Sequence, residues 1–145
     1  MTPSHDYIRR FVLDANALTS LLEDRPGSAT RVRSLVAEAS RQEVPILMSA
    51  VNWGEVFYIA WRLHGEIHAR EAEARLQQLP ILVIAADRDR ATRAAALKQK
   101  HNLGYADSFA AELAMERSAS LVTADPEFSK LGKVLSVYSL PRHEK

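Results

Sequence analysis

The chain has 145 residues, which suits one domain spanning residues 1–145; a domain of this size buries about 68–70% of its unfolded surface and needs no covalent staple. It has no cysteine, which excludes disulfides, thiolate metal sites and cysteine nucleophiles, and its 19 Lys and Arg against 18 Asp and Glu leave a formal net charge of +1. No apolar stretch approaches the roughly 18 residues of a membrane span, and the polar start Met1-Thr2-Pro3-Ser4-His5-Asp6 lacks the apolar centre of a secretory leader, so a cytoplasmic protein without membrane association is expected.

Short apolar runs alternate with helical periodicity along the chain. Ile8 to Leu13 reads as a first strand, followed by a helix over Ala15 to Leu22 that ends at Asp24-Arg25-Pro26-Gly27. Ser28 is expected to cap the next helix, in which Val32, Leu35, Val36 and Ala39 form one apolar face. Pro45-Ile46-Leu47-Met48 reads as a second strand. Ser49 then caps a helix that runs to Gly65, a glycine well placed to stop it. Glu66 to Leu79 is a charged helix, Ile81-Leu82-Val83-Ile84 a third strand, and Arg88 to Lys100 a helix broken by His101-Asn102-Leu103-Gly104. A helix over Tyr105 to Arg117, a strand at Leu121-Val122-Thr123 and a fifth within Lys133 to Tyr138 complete the pattern. Strands separated by helical crossovers predict an α/β fold, three layers α/β/α around a mostly parallel sheet of four to five strands.

Four acidic residues recur at defined places in that pattern. Asp14 and Asp125 directly follow strands, so both belong at the carboxyl edge of the sheet, where ligands of open α/β folds collect. Asp107 opens a helix whose Ala110, Ala111 and Ala114 share its face, and Glu55 lies in an otherwise apolar helix, where a buried charge must be paired or coordinated. Asn16 and Thr123 stand near the two strand-end carboxylates as supporting groups. Each acid alone has a plainer reading. Asp14 and Asp125 are also turn or cap formers, Asp107 a helix-dipole partner, and Glu55 a partner for Arg62. Together they describe an all-oxygen site suited to Mg²⁺ or Mn²⁺. Zinc is disfavoured, because the five histidines show no metal-ligand spacing and His64 and His68 read as a solvated pair. Basic residues gather at Arg31, Arg33 and Arg41, and again at Arg88, Arg90, Arg93, Lys98 and Lys100. They read either as a rim for a polyanion or as two solvated helix faces.

The motifs Leu13-Asp14-Ala15-Asn16, Asn52-Trp53-Gly54-Glu55, Ala106-Asp107-Ser108 and Thr123-Ala124-Asp125-Pro126, in this order, resemble those of the PIN-domain nucleases, most closely the VapC-type toxins of toxin–antitoxin pairs. The likeness runs from about Phe11 to Tyr138. It implies a Mg²⁺- or Mn²⁺-dependent endoribonuclease in which Asp14, Glu55, Asp107 and Asp125 are the catalytic and metal-binding acids, with Asn16 and Thr123 in support. It also implies an RNA substrate, a small antitoxin whose tail covers the site, and a homodimer. The aromatic helix with Trp53, Phe57, Tyr58 and Trp61 offers such an interface, although half or more of these rings are expected in the core. Two rival readings remain open from the residues: a phosphatase or phosphotransferase with Asp14 as nucleophile, and a non-catalytic domain that binds RNA or protein.

Overall fold

A computed structural model describes residues 9–141. Ile8, the expected start of the first strand, and the polar stretch Met1 to Asp6 lie outside the described residues. Five strands form one sheet in the order β3-β2-β1-β4-β5, all parallel: β1 (Phe11–Leu13), β2 (Ile46–Ser49), β3 (Ile81–Ile84), β4 (Ser120–Thr123) and β5 (Val137–Ser139). Register is set by pairs such as Val12 with Leu47 and Leu13 with Val122. Helices α1 (Ala15–Leu22), α2 (Ser28–Gln42), α3 (Ala50–His64), α4 (Glu66–Leu76), α5 (Arg88–His101) and α6 (Tyr105–Glu116) make the crossovers, and a short 3-10 helix (Pro126–Leu131) follows β4. The sheet thus has five strands, at the upper end of the expected number.

Alternation along the strands divides the core into two layers. Val12, Leu47 and Leu121 point to one face, where they pack with Ala110, Leu113 and Ala114 of α6, and with Phe128 and Leu131 of the 3-10 helix. Leu13, Ile46, Met48 and Val122 point to the other, against Leu18 of α1, Val32 of α2, Val56 of α3 and Leu76 of α4. The result is the expected three-layer arrangement. The central strands β1, β2 and β4 are buried on both faces, as parallel strands with two-sided helical cover must be. β3 is different. It occupies an edge, and its Leu82 and Val83 are exposed despite the apolar run that identifies the strand.

Local signals are answered unevenly. Ser49 caps α3 by accepting from the Val51 N–H at 3.2 Å, and Gly65 ends that helix at φ 90°. Ser28 does not cap α2. It is the helix's first residue, Gly27 holds the cap position at φ 79°, and the Ser28 hydroxyl is buried without a partner. The 3-10 helix begins where the Asp-Pro pair predicted a turn, and β5 starts at Val137, inside the expected stretch, and ends one residue past it at Ser139.

Candidate active site

The strand order runs outward in opposite directions from β1 and β4, through β2 and β3 on one side and β5 on the other. The two central strands therefore flank the point where the winding reverses, and side chains beyond their carboxyl ends border an open crevice. Asp14 ends β1 and Asp125 follows β4, so both are delivered there by topology.

Asp14 is 2% exposed, and both of its carboxylate oxygens are engaged. Oδ1 accepts the Ala17 N–H at 2.8 Å, which caps α1, and Oδ2 accepts the Thr123 hydroxyl at 2.5 Å. Thr123 Oγ1 in turn accepts the Asp125 N–H at 2.9 Å, so one hydroxyl ties the ends of β1 and β4 together. Asp125 also caps the 3-10 helix through the Glu127 N–H at 2.9 Å. Both residues cap the element that follows them and both line the crevice, because a carboxylate at a strand end faces the helix start and the crevice at once.

The other two acids come from helices. Glu55 does not pair with Arg62. Its Oε1 accepts from Asn52 Nδ2 at 2.9 Å, and the same Nδ2 reaches the Ala106 carbonyl at 3.0 Å. Fully buried Asn52 therefore orients Glu55 and ties α3 to the residue before Asp107. Asp107 sits in the first turn of α6, which the alanines hold tightly against the sheet: Ala110, Ala111 and Ala114 are wholly buried. A Cβ at Gly104 would stand 3.0 Å from Asp107 Oδ2, so the glycine leaves room for the carboxylate.

Asp14, Glu55, Asp107 and Asp125 all line one cavity of about 290 Å³, together with Asn16, Thr19, Arg25 and Arg62. Burial raises the Asp14 carboxyl to about 7, against the Thr123 and Ala17 hydrogen bonds that lower it, and the charges of Asp107 and Asp125 raise it further. Asp107 is raised to about 6 by burial and then by Asp125, Glu55 and Glu127. Like charges that disfavour their own ionisation are a repulsive cluster in need of a counter-charge.

Hard oxygen donors in this number suit a hydrated divalent cation. Among the described residues no three carboxylate or imidazole groups converge closely enough to form a ready-made ligand cluster. With Asp14 bonded at both oxygens and Glu55 held by Asn52, the donor set fits an ion that keeps part of its water shell.

Several contributors were not recognisable as such in the sequence. Asn52, quoted only as the start of the motif that carries Glu55, bonds Glu55 three residues on and the Ala106 carbonyl 54 residues on, and Gly104 acts on Asp107 three residues on. Part of the expected basic rim pairs with carboxylates of this chain. Arg90 and Arg93 bind buried Glu112, Arg90 also binds Glu116, and Arg33 and Arg41 pair with Asp24 and Glu38. The cations that do border the carboxylates are Arg25 and Arg62. None of the four aromatic residues of α3 is fully buried. Trp53 packs beside the core, Phe57 is half-buried, and Tyr58 and Trp61 are exposed.

A protein-family profile, the PIN domain, matches residues 11–134, and the chain belongs to that family. No curated protein sequence matches it. Among solved structures it shares its fold with a toxin–antitoxin complex from Klebsiella pneumoniae, at 22% identity and a TM-score of 0.63 over 88% of this chain and 95% of that one. It is similar also to VapBC2 from Rickettsia felis bound to a promoter DNA fragment (14% identity, TM-score 0.69, covering 90% and 98%). A third is VapC20 of Mycobacterium tuberculosis, described as a toxin that cleaves the sarcin–ricin loop (18% identity, TM-score 0.64, covering 90% and 99%).

Proposed function

We propose that the chain is a Mg²⁺- or Mn²⁺-dependent endoribonuclease and the toxin of a toxin–antitoxin pair. The observation that carries this reading is the convergence of Asp14, Glu55, Asp107 and Asp125 on one cavity at the reversal point of the sheet. Asp14 and Asp107 would hold the ion directly; Glu55 and Asp125 would bind through water or complete a second position. The cation, when bound, neutralises charge on the phosphate and makes water a better nucleophile. Thr123 and the Ala17 N–H fix Asp14, Asn52 fixes Glu55, and the packed alanine face fixes Asp107, so the carboxylates need little reorganisation. Arg25 and Arg62 border the cavity and attract the phosphodiester. In-line attack of water on phosphorus breaks the P–O3′ bond, leaving a 5′-phosphate and a 3′-hydroxyl.

The phosphatase reading has less support, because such sites place a second acidic residue two positions after the nucleophile, where this chain has Asn16. The structural relatives that are toxin–antitoxin complexes support a small antitoxin partner, and a homodimer is part of the same proposal.

The test is cleavage of total cellular RNA by purified, partner-free protein with Mg²⁺, with Mn²⁺ and with chelator. Discrete metal-dependent products are expected. Asp107→Asn is expected to lower the rate by about a hundredfold or more, the scale of losing one preorganised electrostatic group, while folding normally. Full activity in a folded Asp107→Asn protein would sink the mechanism. A folded protein that neither cleaves RNA nor binds either metal would instead be the non-catalytic RNA- or protein-binding domain.

A further inference from the structure

The four acids are held as two pairs. The Thr123 hydroxyl donates to Asp14 and accepts from the Asp125 N–H, while Asn52 binds both Glu55 and the carbonyl of Ala106, the residue before Asp107. Between the two pairs runs the loop that joins α5 to α6, residues 102–104. Gly104, the cap residue of α6, stands directly against Asp107: the place its Cβ would take is 3.0 Å from Oδ2. Leu103 is 2% exposed and packs in one core layer with Phe128 and Leu131 of the 3-10 helix that Asp125 caps. The loop therefore meets Asp107 at one end and, through the 3-10 helix, the Asp125 side of the crevice at the other.

Carbonyls at a helix end need donors, and two lysines supply them here. Lys98 Nζ donates to the Leu103 carbonyl at 3.0 Å, and Lys130 Nζ donates to the Asn102 carbonyl at 3.2 Å. The two bonds differ in what they join. Lys98 belongs to α5 and closes the loop onto the helix that precedes it. Lys130 belongs to the 3-10 helix, so its bond runs from the segment that begins at Asp125 to the segment that seats Asp107. Glu127 Oε2 stands 2.8 Å from the same ammonium and holds it in place. The charge of Glu127 also reaches Asp107, which puts this contact at the edge of the site.

We propose that Lys130 is a positioning residue of the candidate metal site: by donating to the Asn102 carbonyl it fixes the spacing between the Asp14–Asp125 pair and the Glu55–Asp107 pair. The proposal rests on the nuclease reading for what the acids hold. Mg²⁺ demands near-ideal octahedral geometry, and groups that orient ligands from outside the site are worth about ten- to a hundredfold in metal affinity. Charge alone predicts the reverse. An ammonium near a cluster that holds a cation opposes that cation, so a lysine acting only through its charge would weaken metal binding, and its removal would tighten it.

Metal affinity reads this tie without requiring turnover. Wild-type protein, Lys130→Met and Lys130→Arg are titrated with Mn²⁺ by calorimetry, and their melting temperatures are taken in chelator. Lys130→Met is expected to bind Mn²⁺ about tenfold more weakly. Its metal-free melting temperature should be unchanged, because the side chain is 36% exposed and its ion pair with Glu127 adds little to stability. Lys130→Arg keeps a charged donor for the carbonyl and should recover most of the affinity. Unchanged or tighter Mn²⁺ binding by Lys130→Met, no recovery in Lys130→Arg, or no binding by the wild type overturns the proposal; a lower melting temperature with wild-type affinity would make the lysine structural only. Cleavage of RNA across Mn²⁺ concentrations separates this proposal from the nuclease reading. If the affinities follow the expected pattern but wild-type protein cleaves no RNA, the tie stands and the nuclease reading falls. If wild-type protein cleaves and Lys130→Met needs no more Mn²⁺ to do so, the nuclease reading stands and the tie falls.

Discussion

Asp14 shows how one side chain can serve two demands that conflict in solution. Its hydrogen bonds from Thr123 and Ala17 favour the ionised form, yet burial dominates and lifts the carboxyl to about 7 from 3.8. Between those values the folded protein holds a proton that the unfolded chain has released, so stability falls as pH rises. Metal-free protein is therefore expected to lose melting temperature from about pH 4 to about pH 7, and Asp14→Asn to flatten that slope. Mg²⁺ or Mn²⁺ should restore the loss above pH 7 in wild type alone, which melting curves with and without chelator would read out. Gly104→Ala is a second test at this scale. The added Cβ would stand 3.0 Å from Asp107 Oδ2 in a backbone region open to any residue, so folding should be preserved and activity reduced. A wild-type rate in Gly104→Ala would show that the position of Asp107 is not critical.

These residues were unequally legible. Asp14 and Asp125 announce themselves because each follows an apolar run, and Asp107 because alanines repeat on its face. Asn52 is only half legible: its bond to Glu55 is local, but the Ala106 carbonyl 54 positions away is a partner no local pattern predicts. Arg25 and Arg62 were visible only as a loop residue and a supposed partner for Glu55, since what they border is a product of topology.

Among the elements, α5 and α6 show where part of the basic segment over residues 88–100 is engaged. On the sequence it is a run of cations, but Arg90 turns inward to Glu112, which is 3% exposed, and Arg93 reaches the same carboxylate from a half-exposed position. Glu112→Ala would leave Arg90 without its buried partner and should destabilise the protein by about 2–3 kcal/mol, below the upper range for buried pairs because Arg93 remains solvated. Chemical denaturation would measure it, and a loss below about 0.5 kcal/mol would place the pair with ordinary surface contacts. The α1–α2 turn fails the sequence reading for another reason. Ser28 has the right identity for a cap, but the chain enters α2 through Gly27 at φ 79°, with Pro141 packed 3.3 Å from where a Cβ would be. Gly27→Ala should therefore cost about 1 kcal/mol or more, and should weaken RNA binding if the turn that carries Arg25 shifts with it. Strands and helices otherwise fell close to the positions their periodicity indicated, since burial on two faces for β1, β2 and β4 leaves no other assignment for such short apolar runs.

For the molecule as a whole, the order of strands accounts for the site better than any motif does, because the reversal between β1 and β4 is what brings residues 14 and 125 together. The same view isolates an uncovered apolar surface on α3 and α4, with Tyr58, Trp61, Leu63 and Ile67 exposed. Trp61, at 42% exposure, is the natural reporter for the proposed antitoxin: its fluorescence should shift to shorter wavelength on complex formation. Trp61→Ala should weaken that complex about tenfold or more, as loss of a buried aromatic anchor does. Binding with no spectral change would place the partner elsewhere.

The central position of β1 has a consequence for synthesis. β1 is the first strand made, but one of its two neighbours is β4, whose residues 120–123 are translated after most of the chain. Until they leave the ribosome, Asp14 lacks the Thr123 hydroxyl, Asp125 does not exist, and the crevice has only one side. Since strands that pair across such long separations join late in folding, a nascent chain, or one that stops before residue 120, lacks the second side of the crevice. Under the proposed nuclease reading, the strand order sets an interval in which the chain exists and its site does not, and a partner made alongside it can bind within that interval.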